Sequence, residues 1–351
     1  MKNTPAKEKK KMSVGKRILL TVGIVLAAIL FVLLAVRLYF RLPVWSYYRA
    51  SEKGFEIPGL SDGFVPQGLD YDDRTDLFWV TGYMDDGSAS PIYLVKRSTG
   101  ELYKTVYLAN EDGSIYNGHT GGVAVSWDFV YIAGGGRSCI YAYSCDEIMT
   151  AEDGITVKAL GSISTKSENG DSLRVSSVFV DDEYHRLYAA EYYSEPKNPT
   201  PENHKLTTPA GDRHGALAIA FELDFQNGVL GVDPTPKLAI SLPDLVQGFC
   251  IGGDSIFLST SKGASFSHVY EYPLANQASE AITFLGIEMP LYYLDSGNLA
   301  ADYRLPPMSE ELVVVDGKLY TMCESACNKY FFGKLTSSKW CYATELWKMN
   351  Q

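Results

Sequence analysis

The stretch PQGLDYDDRTDLFWVTGY (66–83) holds two short apolar runs on either side of an acidic, turn-forming centre, DDRTD (72–76). Apolar and polar residues alternate in the first run, and aromatic and β-branched residues dominate the second. This is the pattern of two antiparallel strands joined by a tight turn. The same pair recurs four times downstream, as TGGVAVSWDFVYIAGG (120–135), VSSVFVDDEYHRLYAAEY (175–192), VQGFCIGGDSIFLSTS (246–261) and SEELVVVDGKLYTMCE (309–324). The residues that anchor the first strands, Leu69, Val123, Val178, Phe249 and Leu312, lie 54, 55, 71 and 63 positions apart.

A third apolar run follows each pair: SPIYLVKR (90–97), SCIYAYSC (138–145), LAIAFELD (217–224), SHVYEYPL (267–274) and CYATELWK (341–348). Four units carry a fourth run, LYKTVYL (102–108), TVKALGSIS (156–164), PKLAISL (236–242) and AITFLGIEM (281–289). Units of four short strands repeated round a circle make a β-propeller. The fifth unit lacks its fourth strand, whereas GFEIP (54–58) stands before the first unit without a partner. We therefore expect an all-β, five-bladed propeller in which this N-terminal strand completes the last blade and leaves no open edge. Six blades are the alternative, although Leu291–Leu305 is too short to hold another blade, and a pair of β-sandwiches ranks third.

Ahead of the repeat, Ile18 to Val36 is a run of 19 uncharged residues. At about 1.5 Å per residue it just crosses a hydrocarbon core of about 30 Å. No small-residue cleavage pattern follows it, so it reads as a retained transmembrane helix and not as a cleaved signal. Lys2, Lys7, Lys9, Lys10, Lys11, Lys16 and Arg17 precede the run, and only Arg37, Arg41 and Arg49 follow closely. By the positive-inside rule the N-terminus is cytoplasmic and the rest of the chain extracytoplasmic. The expected plan is a basic cytoplasmic tail (1–17), one transmembrane helix (18–36), a stem (37–53) and a propeller ectodomain (54–351), in a single-pass protein of the cell membrane.

The net charge of −11 conceals 20 basic and 40 acidic residues over positions 54–351. Such a surface repels phosphate backbones and argues against nucleic-acid binding. Six cysteines, Cys139, Cys145, Cys250, Cys323, Cys327 and Cys341, are permitted to form disulfides outside the cytoplasm. Cys139 and Cys145 are too far apart along one strand to bridge, whereas Cys323 or Cys327 could reach Cys341 across a hairpin. One or two bridges at most are expected, and no metal on sulfur.

In a propeller the innermost strands start at one mouth of the central channel, where the links between second and third strands also lie. The position two before each anchor holds Gln67, Gly121, Ser176, Gln247 and Glu310, and the next holds Gly68, Gly122, Ser177, Gly248 and Glu311. Small residues in the second set suit crowding at the axis. Gln67, Ser176, Gln247 and Glu310 would offer oxygen ligands to a cation such as Ca²⁺, or else hydrogen-bond to water in the channel. The ends of the second strands add Tyr83, Glu191, Tyr192 and Glu324, and His119 and Arg174 lie just before strands at the same mouth. Long insertions at 193–215 and 325–340 would wall this face, which is where binding on a rigid scaffold usually resides. The candidate binding set is thus Gln67, Tyr83, His119, Ser176, Tyr192, Gln247, Glu310 and Glu324. A catalytic reading would use His119 or Glu191 as general base and Arg174 as an electrophilic stabiliser. Asp72-Asp73 and Asp181-Asp182 occupy matching turns and read as turn chemistry.

With its PQGLDY (66–71) and GHTGGVAV (118–125) segments, the repeat resembles bacterial secreted and membrane-anchored propeller-repeat proteins of the gluconolactonase-like style. That resemblance implies architecture over positions 54–351 and leaves the chemistry open, since propellers host many activities. Two functions follow as expectations. The first is a membrane-tethered binding module for a small molecule, glycan or protein on the face with the long loops. The second is a hydrolase or lyase using that face, with or without a divalent cation.

Overall fold

The computed structural model describes residues 12–274, 278, 280–330, 333–336 and 339–350. The basic tail through Lys11 lies outside them. Five antiparallel sheets succeed one another along the chain, and each starts with one of the five anchor strands. Blade one comprises Phe64–Asp72, Leu77–Met84, Pro91–Lys96 and Leu102–Ala109, and blade two Val123–Ser126, Phe129–Ala133, Cys139–Ser144 and Gly161–Ser164. Blade three is built from Val175–Asp181, Arg186–Glu191, Ala216–Glu222 and Leu238–Leu242, and blade four from Val246–Gly252, Ser255–Thr260, Ser267–Pro273 and Ala301–Leu305. Blade five has Ser309–Val315, Lys318–Cys323 and Trp340–Thr344 from the C-terminus, and Ser51–Glu56 from the N-terminus. Phe55 pairs with Cys341 and Glu56 with Trp340, so the two ends of the chain share one sheet. The protein is a five-bladed antiparallel β-propeller closed by its N-terminal strand.

Burial explains why the ring holds. Residues of adjacent blades face each other in apolar layers, such as Phe55, Phe78, Val95, Val313 and Met322 between blades five and one. Every one of these side chains is nearly removed from water, and such burial stabilises by about 25 cal/mol per Å² of apolar surface. Asp72 and Asp181 end their strands as turn residues, since their carboxylates accept backbone N–H groups of Arg74, Glu183 and Tyr184.

The outer strands depart from expectation in two places. In the run 156–164, Thr156–Lys158 adds in parallel to the outside of blade one, and only Gly161–Ser164 serves blade two. The run 281–289 does not complete blade four. It belongs to a hairpin, Glu280–Phe284 with Ile287–Tyr293, that lies along the outside of blade three. Ala301–Leu305 takes the fourth place in blade four. All six cysteines are free thiols. Thr321 lies opposite Tyr342, so continuing the register sets Cys341 opposite Met322 and turns Cys323 to the other face of the sheet.

A helix, Val14–Arg41, precedes the propeller. It is long and apolar enough to cross a membrane, with none of its apolar window buried, consistent with a single membrane anchor. Behind it, Leu42–Val44 and the short helix Trp45–Ala50 lie along the ring, with Val44 and Tyr47 buried. Tyr47 Oη and Thr321 Oγ1 are hydrogen-bonded at 2.8 Å.

Candidate functional site

The innermost strands of four blades share an irregularity that the sequence does not announce. Their pairing slips between Pro66 and Gly68, Val175 and Ser177, Val246 and Gly248, and Ser309 and Leu312. The bulged positions include Gln67, Ser176, Gln247 and Glu310. A bulge bends the strand and re-aims a side chain, and these four side chains line a single cavity of about 670 Å³ at the channel mouth. Tyr83, His119, Arg174, Tyr192 and Glu324 line it as well. All eight residues of the candidate binding set thus share one cavity.

Glu191 stands apart. Its buried Oε1 lies 2.6 Å from His204 Nδ1 and accepts the Leu217 N–H at 3.0 Å. The side chain therefore pins the blade-three insertion to its own sheet, and it is not among the residues that line the cavity. Lys329, in the insertion expected to wall this face, completes the wall together with Lys197, Asn198, Met308 and Tyr330, which the strand pattern did not flag. They sit on links and insertions, whose path no strand periodicity specifies.

Below the mouth, the axis is filled by Glu311. Gly68, Gly122 and Gly248 leave no room for a Cβ, and the Glu311 side chain lies against the last two. Its Oε1 accepts from Ser177 Oγ and from the Phe249 N–H, each at 3.1 Å. Asp70, also buried, accepts the Val125 N–H at 2.7 Å. Burial pushes the Asp70 carboxyl up to about 7 despite that bond, and pushes Glu311 well above the usual carboxylate range.

The cavity floor is acidic. Glu310 is 2% exposed, and its Oε1 has no hydrogen-bond partner among the described residues. Burial, and then the charges of Glu324 and Glu311, hold its carboxyl well above the ordinary value. Glu324 is pushed up to about 7 by burial, against hydrogen bonds from Tyr330 and Gln67 that favour its charged form. The wall is aromatic and cationic. His119 stacks on Tyr83 with ring centres 3.9 Å apart, and Lys329 donates to Tyr83 Oη while its ammonium stands 4.6 Å from the Tyr83 ring centre. Burial and the Lys329 charge lower the His119 pKa, which favours the neutral ring. Arg174 and Lys197 sit exposed at the rim, and Arg174 Nε donates to Gly136 O at 2.9 Å.

Among the described residues, no three His, Cys, Asp or Glu side chains are grouped to hold a metal ion. Gln67 donates its amide N–H to Glu324 and Ser176 donates its hydroxyl to Ala190 O. A cation at the mouth would meet two carboxylates, Glu310 and Glu324, beside the amide and hydroxyl oxygens of Gln67, Gln247 and Ser176. What the arrangement does offer is an acid pair, both members raised by burial, able to receive a positive group beneath a rim of opposite charge.

No protein-family profile matches the chain, and no curated protein sequence is significantly similar. Solved structures that it resembles include glutaminyl cyclase of Myxococcus xanthus, at 10% identity over 84% of this chain and 94% of that one, with a TM-score of 0.41. Hydrazine synthase of Kuenenia stuttgartiensis is 10% identical over 73% of this chain and 55% of that one (TM-score 0.36). A chain of a nidogen–laminin complex is 11% identical over 74% and 73% (TM-score 0.38). At such distances the likeness carries no chemistry across. What is established is a β-propeller of five blades behind one apolar N-terminal helix.

Proposed function

We propose that this protein is a membrane-tethered binding module that holds its propeller outside the cytoplasm and takes a small molecule into the cavity at the channel mouth. The observation that carries this reading is Glu310, a buried carboxyl with a free acceptor atom at the base of a polar, aromatic-walled cavity. An unpaired buried carboxyl costs stability, so the site gains most from a ligand that pairs with it. Sites of this size with a few convergent polar groups are typical of small-molecule recognition.

Thermal unfolding of the full chain in nanodiscs, screened against amines, amino acids, sugars and nucleotides, tests the reading. A stabilising compound should lose its effect in Glu310→Gln and Tyr192→Ala. Stabilisation that both variants retain would place the ligand elsewhere and defeat the proposal. Protease shaving of intact cells checks the orientation, with the propeller cleaved or released only if it faces outward.

Hydrolysis at the same site is the second reading, favoured by Glu324, whose carboxyl titrates near neutrality beside Glu310 and a neutral His119. Turnover of the bound compound, abolished in Glu324→Gln while binding persists, would distinguish it from binding alone.

A further inference from the structure

The two links that hold the end of the long helix also contribute to the cavity wall. Arg37 Nη1 donates to Lys334 O at 2.7 Å, and Lys334 belongs to the blade-five insertion that also supplies Lys329 and Tyr330 and follows directly on Glu324. Tyr39 and Phe40 lie with their rings 6.3 and 6.0 Å from that of Phe266, in the blade-four link that supplies Gly263. From there Leu42–Ala50 runs down the flank of the ring, and the closing strand returns from Ser51 to Glu56, which pairs with Trp340 beside the blade-five insertion. The described helix residues before Val36 are all exposed. The helix therefore leaves the propeller on the mouth side.

A second cavity, of about 750 Å³, lies where the helix meets the ring, lined by Arg37, Lys334, Lys339, Leu60 and Trp340 among others. Basic and tryptophan side chains at that level match the headgroup region of a membrane. Within the central cavity the charges are ordered by depth, with Glu310 buried below and Arg174 and Lys197 exposed above. Tyr83, Tyr192 and Tyr330 stand between them, and an ammonium is favoured over such rings, as Lys329 already demonstrates at Tyr83.

Resting on the binding role proposed above, we infer that the cavity opens onto the bilayer surface and takes a zwitterionic headgroup, its primary ammonium descending to Glu310 and Glu324 and its phosphate held by Arg174 and Lys197. The shared chemistry is that of phosphoethanolamine, whether free or esterified to a lipid, and the geometry of the helix favours the lipid.

The test uses the full chain in nanodiscs of phosphatidylcholine, with and without added phosphatidylethanolamine, and free O-phosphoethanolamine titrated into the phosphatidylcholine discs. Thermal unfolding and hydrogen exchange at Tyr192 and Glu324 are the readouts. The expected result is a midpoint several degrees higher, with slowed exchange, in the phosphatidylethanolamine discs, and loss of both effects in Glu310→Gln and Glu324→Gln. Stabilisation by the free headgroup alone would overturn the membrane-facing half of the inference. No response to either probe would overturn the headgroup class altogether. If another compound still stabilised the protein through Glu310, the binding role would survive that failure, and if none did, both would fall.

Discussion

Gly122 shows how little slack the axis has. A Cβ there would lie 2.5 Å from Glu311 Oε2, 2.6 Å from the Val178 nitrogen and 2.9 Å from the Ser177 Cα. The last two are backbone and cannot swing aside. Gly122→Ala is therefore expected to lower stability by about 1–3 kcal/mol through overpacking, measured by denaturant unfolding. The small residues of this ring were legible from their recurrence one position before each anchor. Glu311, in the same register, breaks the rule of smallness because its carboxylate occupies the room the glycines leave. The bulges at Gln67, Ser176, Gln247 and Glu310 were not legible, since a bulge is a backbone event that alternation of polar and apolar residues does not mark.

Among the strands, the inner two of each blade were readable because most of their residues are buried and turn-forming residues separate the two apolar runs. The outer run TVKALGSIS is half-exposed, and nothing in such a pattern says which neighbouring edge will accept it. Hence Thr156–Lys158 pairs with blade one, and the 280–293 hairpin with blade three. The closing strand was found by the opposite logic, as a unit lacking a strand and a strand lacking a unit. Phe55 is its anchor, 1% exposed, with its ring 5.1 Å from that of Phe78. Phe55→Ala should cost about 3–5 kcal/mol and hasten hydrogen exchange along Trp340–Thr344. A loss no greater than that of an exposed residue would mean that the strand does not lock the ring.

For the whole molecule, four carboxyls near the axis contribute one distinct part of the dependence of stability on pH. Asp70 and Glu324 are raised to about 7, and Glu310 and Glu311 are raised as well, all chiefly by burial. The unfolded chain releases these protons near pH ~4, at the ordinary carboxylate values. Between there and about 7 these four groups bind more protons in the folded state, so their contribution makes stability fall as pH rises, against the lowered His119 and His214, which act in the opposite direction. The midpoint of unfolding in the ligand-free protein is expected to be higher near pH 5 than near pH 7.5. Asp70→Asn should flatten that slope, because a tenfold difference in proton affinity between folded and unfolded chain is worth about 1.4 kcal/mol. A midpoint that climbs steadily over this interval would show that the axial acids are ionised at no cost. No local pattern foreshadows this behaviour, since Asp70 and Glu311 look like any strand acids until the ring closes round them.

Only nine residues separate Arg41 from Ser51, so the tether and the seam of the ring are nearly one piece of chain. Tension on the anchor is transmitted first to Val44 and Tyr47 on the flank and then to the strand that zips the circle shut. Mechanical load would thus be felt at the joint where the two termini meet before any other blade, and a clamp on that joint would at the same time steady the protein's grip on its own root.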